Sequence, residues 1–271
     1  MQTTELQERI AAFPSWHYRF QFDGGIETPV AWIGQINRHE QRRRYFFTAL
    51  LELAGGRLDG LRVLDLGCNA GLWSLNAVES GAQFVLGVDH HAAYIEQAEL
   101  VFEAKGVERD RYRFERGDIF RHAFPDTFDV VLCLGIMEVT SEPLQLFELF
   151  DSVGSQIVVI DTVISHSRSA TFELSRVDDP QNRAEHLRVL LPSARAVQEL
   201  AREFGYGTVA LAYNMTDYSG MDDYRERRRM AFVCARGPHA PGLTALAARR
   251  GIDERWLSSP MLQRARERAS R

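Results

Sequence analysis

Three aspartates, Asp65, Asp89 and Asp118, each stand at or near the end of a short apolar run, and the first is followed by Gly67-Cys68-Asn69-Ala70-Gly71. An apolar run of this length with β-branched residues, ending in an acid and glycines, predicts a buried parallel strand that feeds a tight turn and a helix. Gly67 and Gly71 let the backbone turn sharply and approach a ligand. The helix opening at Leu72 aims unpaired N–H groups and its positive end at the same place. Asp65 sets a carboxylate at the strand's mouth. Asp89 follows the loop by about twenty residues, the position at which an acid accepts from ribose hydroxyls in nucleotide-binding α/β folds. Asp118, with Ile119 beside it, is placed to take an exocyclic amine and an apolar ring. The set suits a ligand with both a cation and polar oxygens. A dinucleotide site would have glycine where Asn69 stands, which argues against a nicotinamide cofactor.

A second group of residues could act on a substrate. Glu138 follows the fourth apolar run and is the first choice for a base or an orienting carboxylate; His17 and His166 are the other candidates. Trp16, Tyr18, Tyr213 and Tyr218 are expected to line the acceptor site. His90 borders Asp89, and Leu134-Gly135 leaves room at the end of the fourth run. No His, Cys, Asp or Glu spacing suits a metal, so the expected chemistry is metal-independent.

These residues need a sheet to bring them to one edge, and the pattern supplies one. Strands are expected at 62–66, 84–89, 113–116, 130–134 and 156–161, with helices at 71–79, up to 104, and 142–151 between them. Such alternation implies right-handed crossovers and a doubly wound α/β fold. A helix from 193 to about 204 precedes an antiparallel pair, 208–213 with 230–234, which completes a mostly parallel seven-stranded sheet. Ahead of the core, 1–13 reads as a helical arm, 16–22 and 26–30 as a hairpin turning at Asp23-Gly24-Gly25, and 37–53 as a helix. The division expected is an N-terminal extension at 1–57, a core at 58–238 containing a polar insert at 162–190, and a helical tail at 239–271 anchored by Trp256. Long inserts in compact domains often serve as lids or substrate loops.

The chain has 271 residues, 45% hydrophobic and 25% charged, with a formal net charge of −5. That is an ordinary globular composition, and the acidic balance weighs against a nucleic-acid partner. The arginine clusters at 42–44 and 225–229 read as solvated faces; Lys105 is the only lysine. No apolar run approaches the roughly 18 residues of a membrane span, and the polar start does not read as a secretory signal, so a cytoplasmic location is expected, with no membrane partner. Cys68, Cys133 and Cys234 read as small buried hydrophobes.

The segment 63–74 (VLDLGCNAGLWS) resembles the first motif of class I S-adenosylmethionine-dependent methyltransferases. Together with Trp16-His17-Tyr18, Gly25-Ile26-Glu27-Thr28-Pro29, Gly87-Val88-Asp89, the FDVVLCLG of 128–135, Leu191-Pro192-Ser193 and Phe204-Gly205-Tyr206, it is similar to a branch related to the tRNA wobble-uridine carboxymethyltransferases. The resemblance spans about 16–214 and implies a Rossmann-like fold with S-adenosylmethionine as cofactor and S-adenosylhomocysteine as product. It implies cofactor contacts at Asp65, Gly67, Asn69, Gly71, Asp89, His90, Asp118, Ile119 and Leu134. Relatives often carry an aromatic residue and a histidine after the fourth strand, where this chain has Glu138 and Val139. The expected reaction is methyl transfer to oxygen or nitrogen of a small molecule, a secondary metabolite or sugar-like compound, with a homodimer allowed. The alternative is an RNA-modifying methyl- or carboxymethyltransferase.

Overall fold

The computed structural model describes residues 2–176 and 188–252. Its centre is a sheet of seven strands: β1 (Arg62–Leu66), β2 (Phe84–Asp89), β3 (Tyr112–Arg116), β4 (Val130–Leu134), β5 (Ile157–Val163), β8 (Gly207–Ala210) and β9 (Arg229–Ala235). The order is β3-β2-β1-β4-β5-β9-β8. The first five pair in parallel, and β9 runs antiparallel between β5 and β8. The expected fold class is therefore the one observed. Chain order reverses at β1, whose neighbours are β2 and β4, so the crevice over the carboxyl ends of β1 and β4 is the sheet's switch point.

Successive side chains of a strand face opposite sides, and the sheet separates two apolar layers. Val63, Val85, Leu132 and Val159 pack with Tyr45, Phe46, Phe47, Trp73 and Phe102 on one side. Leu64, Leu86, Val131 and Ile160 pack with Phe147, Phe150 and Val197 on the other. The covering helices are α4 (Leu72–Glu79), α5 (Ala92–Ala104), α6 (Pro143–Ser152) and α7 (Ala194–Glu203), with α9 (Gly242–Arg250) beside β8. Ser193 caps α7 by accepting from Ala196 N–H at 3.0 Å, satisfying one of the first-turn donors. Among the described residues no helix is long and apolar enough to cross a membrane, and the three cysteines are free and buried.

Outside the core the structure departs from the sequence expectation in four places. After α1 (Thr3–Ala11), the 16–30 segment makes isolated bridges at Trp16–Val30 and Gln21–Glu27 instead of a continuous ladder. Thr28 explains this locally: its hydroxyl accepts from Phe20 N–H and donates to Tyr18 O, both at 2.8 Å, taking places a ladder would use. The helix expected over 37–53 is α2 (Gly34–Arg42) and α3 (Thr48–Leu53) joined by a π turn at Arg43–Phe47. Such a turn re-aims side chains within a continuous helix. The insert after β5 carries its own antiparallel pair, β6 (Phe172–Arg176) with β7 (Arg188–Pro192). The strand expected to reach 213 ends at Ala210, and a short α8 (Asp222–Arg225) precedes β9. Trp256 lies outside the described residues.

Candidate active site

The loop after β1 is built by backbone geometry. Gly67 has φ 65°, and a Cβ there would collide with Ile136 Cδ1 from the loop after β4. Asn69 has φ 49°; asparagine tolerates this left-handed region because its side chain bonds locally, and Asn69 Oδ1 accepts from Ala70 N–H at 2.7 Å. The turn is thus fixed at the carboxyl edge of β1. Asp65 lies below it, 1% exposed, accepting from Ser74 Oγ at 2.7 Å across the first turn of α4. Burial pushes its carboxyl up to about 7, against the opposing Ser74 hydrogen bonds.

Asp89 ends β2 and is buried. Its Oδ2 accepts from Asn69 N–H at 3.0 Å and its Oδ1 from His91 N–H at 2.9 Å. The acid of β2 and the loop of β1 are therefore one hydrogen-bonded unit, and each carboxylate oxygen keeps further lone-pair capacity. His90 is exposed, its Nδ1 3.8 Å from Asp89 Oδ1, and its ring lies against that of His91. Asp118 accepts from Phe120 N–H at 2.9 Å and closes its own turn, while Ile119 is half-buried against the second apolar layer. Leu134 is half-buried at the end of β4, and Gly135 follows with φ 83°, its N–H donating to Asp161 O at 2.8 Å.

Beyond Gly135 lies a charged cluster that pattern reading passed over. Glu138 is ion-paired through Oε1 with Arg229 Nη2. Arg229, the first residue of β9, also reaches Asp161 Oδ2 through Nη1 at 3.3 Å and Asp223 Oδ2 through Nε at 2.9 Å. Asp161, fully buried on β5, accepts from Arg42 Nη2 at 2.7 Å and from the Tyr224 hydroxyl at 2.8 Å. Arg38 grips Asp223 with two bonds of 2.7 and 2.6 Å. Arg42 and Arg229 were expected on solvated faces; instead both are buried, because three acids converge on them. The available signal was Asp161, a fourth acid on a strand of the same edge.

Of the aromatic residues expected to line the acceptor site, Trp16 and Tyr18 are buried, and Tyr213 and Tyr218 are half-buried. Trp16 is 1% exposed, donates Nε1–H to Ile10 O at 3.2 Å, and packs edge-on against Phe13 and Phe20. It is a core residue of the N-terminal extension. Tyr18 is likewise buried, edge-on to His17, Phe20 and His39. Tyr213 stacks on Tyr45 and spends its hydroxyl on Arg229 O at 2.8 Å. Tyr218 is half-buried, and its carbonyl accepts from Arg225. His17 is half-buried with Nδ1 3.2 Å from Gln35 Nε2; His166 is half-buried between β5 and β6. Among the described residues no group of three or more His, Cys, Asp or Glu could hold a metal ion.

Residues 63–154 match a family model described as a methyltransferase domain. A ubiquinone biosynthesis O-methyltransferase from Leptothrix cholodnii is 34% identical over 98 residues, covering 36% of this chain and 41% of that protein. A tRNA U34 carboxymethyltransferase from Cronobacter sakazakii is 27% identical over 180 residues, covering 65% of this chain and 52% of that one. The chain thus spans about two-fifths to one-half of these relatives. Among solved structures, the N-terminal domain of EvdMO1, crystallised in the presence of S-adenosylhomocysteine and D-fucose, superposes with a TM-score of 0.68 at 20% identity, covering 88% of this chain and 97% of that one. A magnesium protoporphyrin IX methyltransferase from Synechocystis with bound S-adenosylmethionine superposes with a TM-score of 0.53 at 15% identity, covering 86% and 91%. At these identities the superpositions speak for the fold.

Proposed function

We propose a function for a chain whose core belongs to the class I S-adenosylmethionine-dependent methyltransferases: it moves a methyl group from that cofactor to an oxygen or nitrogen of a small-molecule acceptor. The observation that carries the reading is the unit formed by Asp89 and the Asn69 loop at the switch point, with Asp65 beneath it. The donor set fits this cofactor. A buried carboxyl at about 7 is ionised by an ammonium brought beside it, Asp89 has lone pairs for two ribose hydroxyls, and glycine at 67 leaves no side chain between the backbone and a ligand.

In this reading Asp65, Gly67, Asn69 and Gly71 hold the amino-acid part, Asp89 the ribose, Asp118, Ile119 and His90 border the adenine, and Leu134 borders the sulfonium. When bound, the cofactor supplies an electrophilic methyl on positive sulfur, so alignment and exclusion of water contribute much of the rate. Glu138, on the loop after β4, accepts or orients the hydrogen of the attacking atom, as an alcohol acceptor in particular requires. His17 and His166 remain secondary candidates for that role.

Small-molecule O-methylation is supported by the ubiquinone biosynthesis O-methyltransferases among the relatives and by the acidic net charge. A second reading, modification of RNA, is favoured by the longer match to the tRNA U34 carboxymethyltransferase. Incubation with S-adenosylmethionine or its carboxylated form and fractionated metabolite or RNA pools, followed by mass spectrometry for a gain of one methyl or carboxymethyl, tests both. Methylation in the metabolite pool supports the first reading; modification confined to RNA replaces it with the second.

A further inference from the structure

All three nitrogens of Arg229 are engaged, each by an acid from a different segment: Glu138 after β4, Asp161 on β5 and Asp223 on α8. Arg42 and Arg38, both on α2, complete the set at Asp161 and Asp223. Three arginines meet three acids, and the cluster carries no surplus formal charge. Burial disfavours the Arg229 charge, but Glu138 and Asp161 more than compensate and hold its guanidinium well above its ordinary range. A buried ion cluster is a weak source of stability, since well-packed apolar groups often do as well. It does fix the orientation of each member.

The member at the crevice is Glu138. Its Oε1 lies 3.7 Å from where a Cβ on Gly135 would stand. The same loop sends Ile136 over Gly67, so it closes on the loop after β1 across the switch point. Arg229 occupies Oε1, while the buried Oε2 has no hydrogen-bond partner among the described residues. A buried, unmatched carboxylate oxygen is costly, and the described residues supply no donor to it.

We propose that Arg229 is a positioning residue, which turns Glu138 so that Oε2 faces the methyl-bearing position of the cofactor and receives an O–H or N–H of the acceptor. The arrangement selects acceptors that present a hydrogen-bearing, uncharged or cationic group there, because an anion would meet Glu138 with every neighbouring arginine already paired. This inference rests on the methyltransferase reading. Arg38, Arg42, Asp161, Asp223 and Tyr224 act through Arg229, tying α2 and α8 to the orientation of one carboxylate.

The test needs no acceptor. Sinefungin resembles S-adenosylhomocysteine but carries an amine on the methyl side of the position occupied by sulfur, so a carboxylate there favours it. By calorimetric titration, the protein is expected to bind sinefungin about tenfold or more tightly than S-adenosylhomocysteine, the scale of a charge-assisted hydrogen bond. Glu138→Gln and Arg229→Met should each bring the two affinities together, with S-adenosylhomocysteine affinity changed less than about threefold, a few tenths of the effect of a direct contact. Should Arg229→Met fail to fold, Arg229→Lys carries the test: a lysine cannot span three acids, and an intermediate ratio is expected. Equal affinities in the unaltered protein, or a ratio that Glu138→Gln or Arg229→Lys leaves unchanged, would overturn the proposal. Failure to bind either ligand would instead strike the methyltransferase reading beneath it.

Discussion

The backbone N–H of Asn69 donates to Asp89 Oδ2 at 3.0 Å, fastening the left-handed turn after β1 to the acid that ends β2. Asp89→Ala therefore removes the fastening of the loop together with the carboxylate proposed to hold the ribose. S-adenosylhomocysteine affinity should fall by about tenfold or more, as for loss of charge-assisted hydrogen bonds. Calorimetric titration checks this; an unchanged dissociation constant would take Asp89 out of the site.

The turn itself is sensitive to a single methyl group. At Gly67 an alanine must adopt φ near 65° and displace Ile136. Gly67→Ala is expected to cost about 1–3 kcal/mol of stability and to weaken ligand binding with it. Urea unfolding measures the first; a variant as stable as the unaltered protein would mean that the loop relaxes freely.

Asp65 gives the unliganded protein a pH signature. Its folded carboxyl stands at about 7 through burial, whereas in the unfolded chain an aspartate titrates near 4. Between these values the folded state holds the extra proton, so this group's contribution to stability falls as pH rises, by at most about 4 kcal/mol across the window. Asp223 acts oppositely: burial raises its carboxyl, but Arg38 and Arg229 pull it below the usual range, so its contribution is lost as pH falls below about 4. Thermal unfolding from pH 4 to 7 should show a downward trend that Asp65→Asn flattens. Identical profiles for the two proteins would contradict the assignment.

Trp16→Ala separates packing from substrate contact. Because the ring is buried against Phe13 and Phe20, its loss should cost about 3–5 kcal/mol. S-adenosylhomocysteine affinity of the folded protein should be unaffected. A stable variant with altered ligand or acceptor affinity would restore Trp16 to the pocket wall.

The core was legible because its signals are local. Val63 to Leu66 followed by two glycines, and acids at the ends of 84–89 and 112–116 or close behind, fix strands, turn and edge within a few residues of one another. The antiparallel pairing of β8 with β9 could be anticipated from the apolar runs near 208 and 230, and the place of β9 beside β5 from the family resemblance. Where the sequence misled, the cause was partnership at long range. Arg42 pairs with Asp161, 119 residues away, and Arg229 with Glu138, 91 residues away; a run of arginines looks solvated until its acids are known. Trp16 and Tyr18 alternate with polar residues as a hairpin would, yet Thr28 intercepts the backbone groups that a ladder needs. The π turn at Arg43–Phe47 has no sequence signature of its own; its effect is visible in the burial of Arg42 beside the apolar Tyr45, Phe46 and Phe47.

The central claim is that the Asp65, Asn69 and Asp89 crevice holds S-adenosylmethionine. Calorimetric titration of the purified protein with S-adenosylhomocysteine and, separately, with NAD tests it most directly. We expect S-adenosylhomocysteine to bind at one site per chain, with affinity lowered in Asp89→Ala, and NAD to give no heat of binding. Binding of NAD in its place, or of neither ligand, would contradict the account and require another ligand for the loop after β1.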